Sequence, residues 1–154
     1  MNIRSINIIG MVCALMATSA IAQEKKIRRS DLPPAVERTV TAQSSGTAVK
    51  GFSKEMEKGQ TYYEAEMIVN GHTKDILINA TGTIVEVEEQ VAMDALPAAV
   101  KSGLQAKAGK GKLVKVESIT KKDNLVAYEA QVRNGSKKSE VQVGPDGKPL
   151  DHEE

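Results

Sequence analysis

A five-residue segment that occurs twice places the strongest constraint on the fold of this chain. Residues 32–36 read LPPAV and residues 96–100 read LPAAV, and the pattern of residues that follows each segment also occurs twice. A pattern duplicated over most of a chain indicates one structural unit that is built twice. We therefore expect two tandem units, residues 30–91 and residues 92–154.

Each unit begins with the pattern of a short amphipathic helix. Apolar residues recur every four positions, which places them on one helical face. They are Leu32, Val36 and Val40 in the first unit and Leu96, Val100 and Leu104 in the second. Ser30 and Asp94 each stand three residues before a proline. They are predicted to cap the helices, because their side chains accept hydrogen bonds from free amides at a helix start.

The period then changes from about four to two, which predicts strands with one buried face. Apolar residues alternate with polar ones from Tyr63 to Val69 and again from Tyr128 to Val132, and Asn-Gly pairs typical of tight hairpins follow both segments. Further strands are expected at 49–57 and 113–121, at 83–88 and 149–152, and after the Asn-Gly turns, where Ile76 and Ile78 match Val141 and Val143. Each unit should therefore be one helix packed on a four-stranded antiparallel sheet, which makes the fold class α+β.

The first 22 residues have the features of a secretory signal peptide. Arg4 precedes an apolar run at 6–17, and small residues lead to a cleavage site after Ala22. The run is shorter than the roughly 20 residues that span a bilayer, so no stable membrane insertion is expected after cleavage. We predict a periplasmic or secreted protein. Residues 23–29 are expected to be a mobile basic leader.

Composition and motifs exclude several classes of function. Cleavage removes Cys13, the single cysteine, and with it any disulfide or thiol chemistry. It also removes one base from 21 Lys and Arg against 20 Asp and Glu, and such a balanced charge argues against nucleic-acid binding. His72 and His152 share no ligand motif, and no nucleophile motif is present. We therefore expect a protein that is not an enzyme and has neither a cofactor nor a metal site.

One group of residues is a candidate contact surface. Tyr62, Glu64, Glu66, Glu86 and Glu88 alternate with apolar residues, so they should lie on the sheet face opposite the helix. Clustered carboxylates suit a basic peptide or calcium, although no EF-hand loop pattern is present. An ordinary solvated face is the third alternative, because antiparallel sheets commonly leave one face in water.

In these motifs the chain resembles the PepSY-like family, which is related to the beta-lactamase-inhibitor-like fold. The resemblance rests on Leu-Pro-x-x-Val, Tyr-Glu-Ala, Asn-Gly, and Thr-Gly or Asp-Gly, and it covers residues 30–153. It implies an exported, non-enzymatic module that binds or restrains extracytoplasmic proteins such as peptidases. With no Trp, one Phe and three Tyr, the chain lacks the aromatic contacts of the beta-lactamase inhibitory proteins, so we do not expect it to inhibit a beta-lactamase.

We therefore predict a protein-binding module whose partner is an extracytoplasmic protein or peptide, with restraint of a peptidase or another envelope enzyme as its role. The contact would use the outer sheet face or an exposed strand edge. The alternative is a calcium-responsive or structural envelope protein that uses the acidic sheet face of the first unit.

Overall fold

The computed structural model describes residues 24–57, 59–152 and 154, and these form one antiparallel sheet of eight strands. Each strand pairs with the next one along the chain. The strands are β1 Lys25–Ile27, β2 Ala48–Glu57, β3 Gln60–Val69, β4 His72–Asn79, β5 Ile84–Gln90, β6 Lys112–Lys121, β7 Asn124–Asn134 and β8 Lys137–Val143. The helices are α1, Pro34–Gln43, and α2, Ala98–Ala108. Neither is long and apolar enough to cross a membrane. The predicted signal peptide lies outside the described residues.

The prediction of two units, each with a helix on its own four-stranded sheet, is wrong. Strand β5 pairs with β6, from Glu86 opposite Lys121 to Gln90 opposite Glu117. The halves therefore share one continuous sheet, and the fold is mostly β, with two helices packed on a single face. The alternation of residues along a strand predicts which sheet face each side chain occupies. It does not predict which strands are neighbours in the sheet.

The strand count of each half also differs from the expectation, for local reasons. Residues 149–152 form no strand, and Pro149 cannot donate a hydrogen bond to a ladder. Within the residues that the structure describes, the second half therefore contributes three strands, β6, β7 and β8. The leader, expected to be mobile, instead supplies β1, whose Lys26 lies opposite Ser53 of β2. Ile27 packs against the core of the first half, and Lys26 forms ion pairs with Glu24 and Glu66.

The predicted core positions of both helices are confirmed. Val36 and Val40 of α1 are buried against β2, β3 and β4, and Val100 and Leu104 of α2 are buried against β6, β7 and β8. Leu32 and Leu96 are buried in the same two clusters, but they lie just before the helices. The predicted caps are wrong. Pro33 and Pro97 occupy the N-cap positions without side-chain caps, whereas Ser30 lies one turn earlier, in a 3₁₀ turn.

Two turn glycines fix the helices to the sheet. Gly82 and Gly147 adopt φ of +87° and +79°. A Cβ at Gly82 would lie 2.8 Å from the Ala35 carbonyl oxygen, and one at Gly147 would lie 2.2 Å from that of Ala99. The turn after β4 and the turn after β8 thus contact the first turn of a helix. This close approach explains why Thr-Gly and Asp-Gly occur at matching places in the sequence.

We predict that Gly147→Ala destabilises the protein by about 3 kcal/mol or more, because it adds a steric clash with α2 to the cost of a left-handed residue. Gly135→Ala is the matched control, because Gly135 has a φ of +61° and no atom within 4 Å of its added Cβ. This control should lose only about 1–2 kcal/mol. Urea unfolding measures both changes, and equal losses would contradict the proposed contact.

Candidate functional site

The sheet face opposite the helices carries a concave acidic surface, which we call the acidic groove. Its volume is about 430 Å³, and ten carboxylates and Leu77 line it. The carboxylates belong to Glu24, Glu55, Glu57, Glu64, Asp75, Glu86, Glu88, Glu129, Glu140 and Glu154. Strands from both halves of the chain contribute them, so the groove exists only because the sheet is continuous.

Strand register decides which acidic residues become neighbours. Glu64 of β3 lies opposite Leu77 of β4, which lies opposite Glu86 of β5. In the adjacent row Glu66 lies opposite Asp75, which lies opposite Glu88. Strands β3 and β5 are therefore not adjacent, and β4 separates the two predicted acidic pairs.

The structure thus brings together part of the predicted contact set. Glu64, Glu86 and Glu88 line the acidic groove, whereas Glu66 and Tyr62 lie on the same face outside its lining. The Tyr62 hydroxyl donates a hydrogen bond to Gln60 Oε1 at 2.8 Å. Contact between these residues and a partner protein stays a prediction.

Sequence reasoning missed acidic residues on the other strands. Asp75 lies directly opposite Glu88, and the carboxylate oxygens of Asp75, Glu88 and Glu117 lie within 4.8 Å of one another. Glu129 of β7 lies opposite Glu117 of β6. Each of these acidic residues alternates along its strand with residues that face the helices. The carboxylates of the two halves come together because β5 pairs with β6.

Glu117 is the most enclosed member of this group, with 4% of its surface exposed. Its carboxylate accepts a hydrogen bond from Thr73 Oγ1 at 3.2 Å, and the Lys115 ammonium lies 2.5 Å from it. A buried charge needs such compensation, because removal from water strongly disfavours the ionised form.

Three carboxyls of the groove lining, those of Asp75, Glu88 and Glu64, lack full compensation. Burial, reinforced by nearby carboxylates, raises the pKa of Asp75 from 3.8 to about 6. Burial likewise raises the pKa of Glu88 to about 9, with a hydrogen bond to Glu86 and the charges of Glu86, Glu129 and Glu117 adding to the effect. The pKa of Glu64 is also raised by burial, although Ser53 Oγ donates to it at 2.6 Å. A positive ligand would relieve this repulsion.

Three lysines lie among the carboxylates and neutralise part of their charge. Lys26 pairs with Glu24 and Glu66, Lys115 pairs with Glu117, and Lys121 lies 3.2 Å from Glu86 and 3.4 Å from Glu154. Among the described residues, the ten carboxylates of the groove lining outnumber these three bases.

Two clusters of three carboxylates each provide the oxygen ligands that calcium prefers. They are Glu24, Glu64 and Glu66, and Asp75, Glu88 and Glu117. Each group already holds a lysine, Lys26 in the first and Lys115 in the second. In either cluster, a calcium ion would have to displace the lysine ammonium or share a carboxylate with that lysine.

The raised pKa values predict a stability that falls with pH. The folded protein retains a proton on Asp75 from about pH 4 to about pH 6, where the unfolded chain has released it, so folding loses stability across that window. Asp75→Asn should stabilise the protein at pH 8 by about 1–2 kcal/mol, an estimate reduced for partial solvent screening, and should have little effect near about pH 4.

Chemical denaturation at the two pH values measures this difference. Asp94→Asn, at an exposed position before α2, is the control and should change stability equally little at both. A loss of stability in Asp75→Asn at pH 8 would show that the Asp75 charge is stabilising.

Comparison with known proteins gives structural matches. No protein-family model matches the chain, and no curated protein matches it in sequence. A protein of Bacteroides eggerthii described as periplasmic superposes with a TM-score of 0.62 at 20% identity, covering 77% of this chain and 86% of its own. A DUF2874 family protein of Bacteroides ovatus has a TM-score of 0.58 at 22% identity, covering 78% and 86%.

A BLIP-like protein of Bacteroides fragilis gives a TM-score of 0.55 at 20% identity. The match covers 77% of this chain and 83% of that protein. At these identities the comparisons show a shared fold. The chain therefore has the fold of the BLIP-like and DUF2874 proteins.

Proposed function

We propose that this protein is an exported, non-enzymatic binding module whose acidic groove holds a positively charged segment of another extracytoplasmic protein. The observation that carries the proposal is the convergence of ten carboxylates from both halves of the chain on one concave surface. Uncompensated, partly buried carboxylates cost stability, and such costs are often found at functional sites.

The proposed location rests on two observations. Residues 1–22 have the pattern of a signal peptide, and structural neighbours such as the Bacteroides eggerthii protein are described as periplasmic. The PepSY-like resemblance and the BLIP-like neighbour support a role in binding other proteins. Restraint of a peptidase or another envelope enzyme would follow if the bound basic segment lies beside the active site of that enzyme.

The dimensions of the groove favour an extended segment over a single ion. Its lining reaches from Glu55 on β2 to Glu140 on β8. Six strand spacings separate these strands, a width of about 29 Å. An extended peptide of about eight or nine residues covers that distance. Lysine and arginine side chains along it would meet carboxylates from both halves of the sheet.

A basic peptide of about nine residues should therefore bind, and an acidic peptide of equal length should not. Calorimetry should show tighter binding at pH 8 than at pH 5, because a cation favours the ionised form of Asp75. Glu64→Gln with Glu86→Gln should weaken binding about tenfold, roughly 1.4 kcal/mol.

The matched control is Glu89→Gln, because Glu89 is exposed, lies outside the groove lining and pairs with Lys74 at 2.7 Å. The Glu89→Gln variant should bind the basic peptide with the same affinity as the wild type. Equal affinity for the acidic and basic peptides, or the same loss in both variants, would contradict the proposal.

The second candidate function is calcium binding, favoured by the close approach of the Asp75, Glu88 and Glu117 carboxylates. Millimolar calcium should then raise the melting temperature of the wild type, because a ligand that binds only the folded state stabilises it. Asp75→Asn with Glu88→Gln should abolish the shift, and magnesium should not reproduce it. No shift of the wild type would exclude this function.

A further inference from the structure

Strand β8 forms the far edge of the sheet and carries an unused pairing surface. Within the described residues it pairs with β7 alone. It has seven residues, and the first four, Lys137 to Glu140, are exposed. The opposite edge, β1, has only three residues. Unpaired backbone amides and carbonyls on a longer edge can pair with another strand.

Two charges on the outer face of β8, those of Lys138 and Glu140, are not balanced by any described residue. Lys138 lies directly opposite Arg133 of β7, which sets two positive charges against each other on the outer face. In the part of the chain that the structure describes, neither Lys138 nor Glu140 has an ion-pair partner. A neighbouring strand that placed an acid beside Lys138 and a base beside Glu140 would satisfy both.

A second copy of the same strand meets this requirement. A twofold axis perpendicular to the sheet would pair the two β8 strands antiparallel and keep all helices on one side. With the axis at Ser139, Lys138 lies opposite Glu140 of the partner subunit, and the symmetry repeats that pair. The ladder would run through residues 137–141 of each copy.

The other symmetric registers centred on exposed residues are disfavoured. An axis at Lys137, Lys138 or Glu140 sets that side chain against its own copy, and like charges directly opposite are repulsive. Registers centred further along β8 would need Gln142 and Val143, which are buried. Edge lysines often prevent strand pairing, and here they would prevent every register centred on the exposed residues except one.

We propose that two copies of this protein associate through their β8 edges in the register centred on Ser139. The dimer joins two eight-stranded sheets into one and places two acidic grooves side by side on the same face. A partner with two basic segments could then bind both grooves at once.

Sedimentation of the exported, purified protein tests the dimer. The wild type should approach twice the monomer mass as its concentration rises. Lys138→Glu and Glu140→Lys should each be monomeric, because each sets like charges opposite one another. A mixture of these two variants should form a heterodimer, since one carries only acids and the other only bases at the two positions. Combining both substitutions in one chain should restore the homodimer.

Lys107→Glu, an exposed change on α2, is the control and should leave the dimer intact. Circular dichroism checks that every variant is folded, as expected for exposed positions. A wild type that stays monomeric at millimolar concentration would overturn the proposal. Variants that dimerise as well as the wild type, or a mixture in which both variants stay monomeric, would overturn the register.

Discussion

The pairing of β5 with β6 is the interaction on which the rest of this structure depends. It joins Glu86 to Gln90 of the first half with Glu117 to Lys121 of the second. Without it, each half would have its own face and its own few acidic residues. With it, Asp75 and Glu88 of the first half lie beside Glu117 of the second, and Glu129 follows on the next strand.

The two faces of the sheet make opposite contributions to the stability of the fold. The helix face buries side chains such as Met67, Ile76 and Leu104 completely, and burial of each large apolar side chain contributes roughly 1.5–3 kcal/mol. The outer face holds carboxyls whose pKa values are raised by burial and by one another. The apolar face can thus offset the cost of concentrating negative charge on the other.

The sequence predicts the parts of the fold that depend on local pattern. Four-residue spacing identified the buried face of α1 at Val36 and Val40, and alternation identified the inward residues of β3. Asn70 and Gly71 adopt φ of 52° and 85°, as the hairpin signal requires. The predictions that were wrong depended on contacts between residues distant in sequence or on an assumed equivalence of the two halves. The junction of β5 with β6 spans α2, and the fourth strand of the second half was inferred from the first.

The same distinction applies to the acidic groove. Alternation placed Glu64, Glu86 and Glu88 on the outer face, because a side chain's face follows from its position in the strand. It could not show that Asp75 lies opposite Glu88, or that Glu117 joins them, because these contacts depend on strand order and register. A three-residue strand such as β1 is too short to show any alternation at all.

Carbodiimide coupling of a lysine-rich peptide to the folded protein would show whether one acidic face extends over both halves of the sheet. The carbodiimide activates a carboxylate, and a lysine amine in contact with that carboxylate then forms an amide bond. Mass spectrometry identifies the two residues that the amide bond joins. We expect coupling to groove residues of both halves, such as Glu57 and Glu140, and none to Glu89, which lies outside the groove lining. Coupling confined to one half, or spread equally over acids outside the groove, would contradict a single continuous binding face.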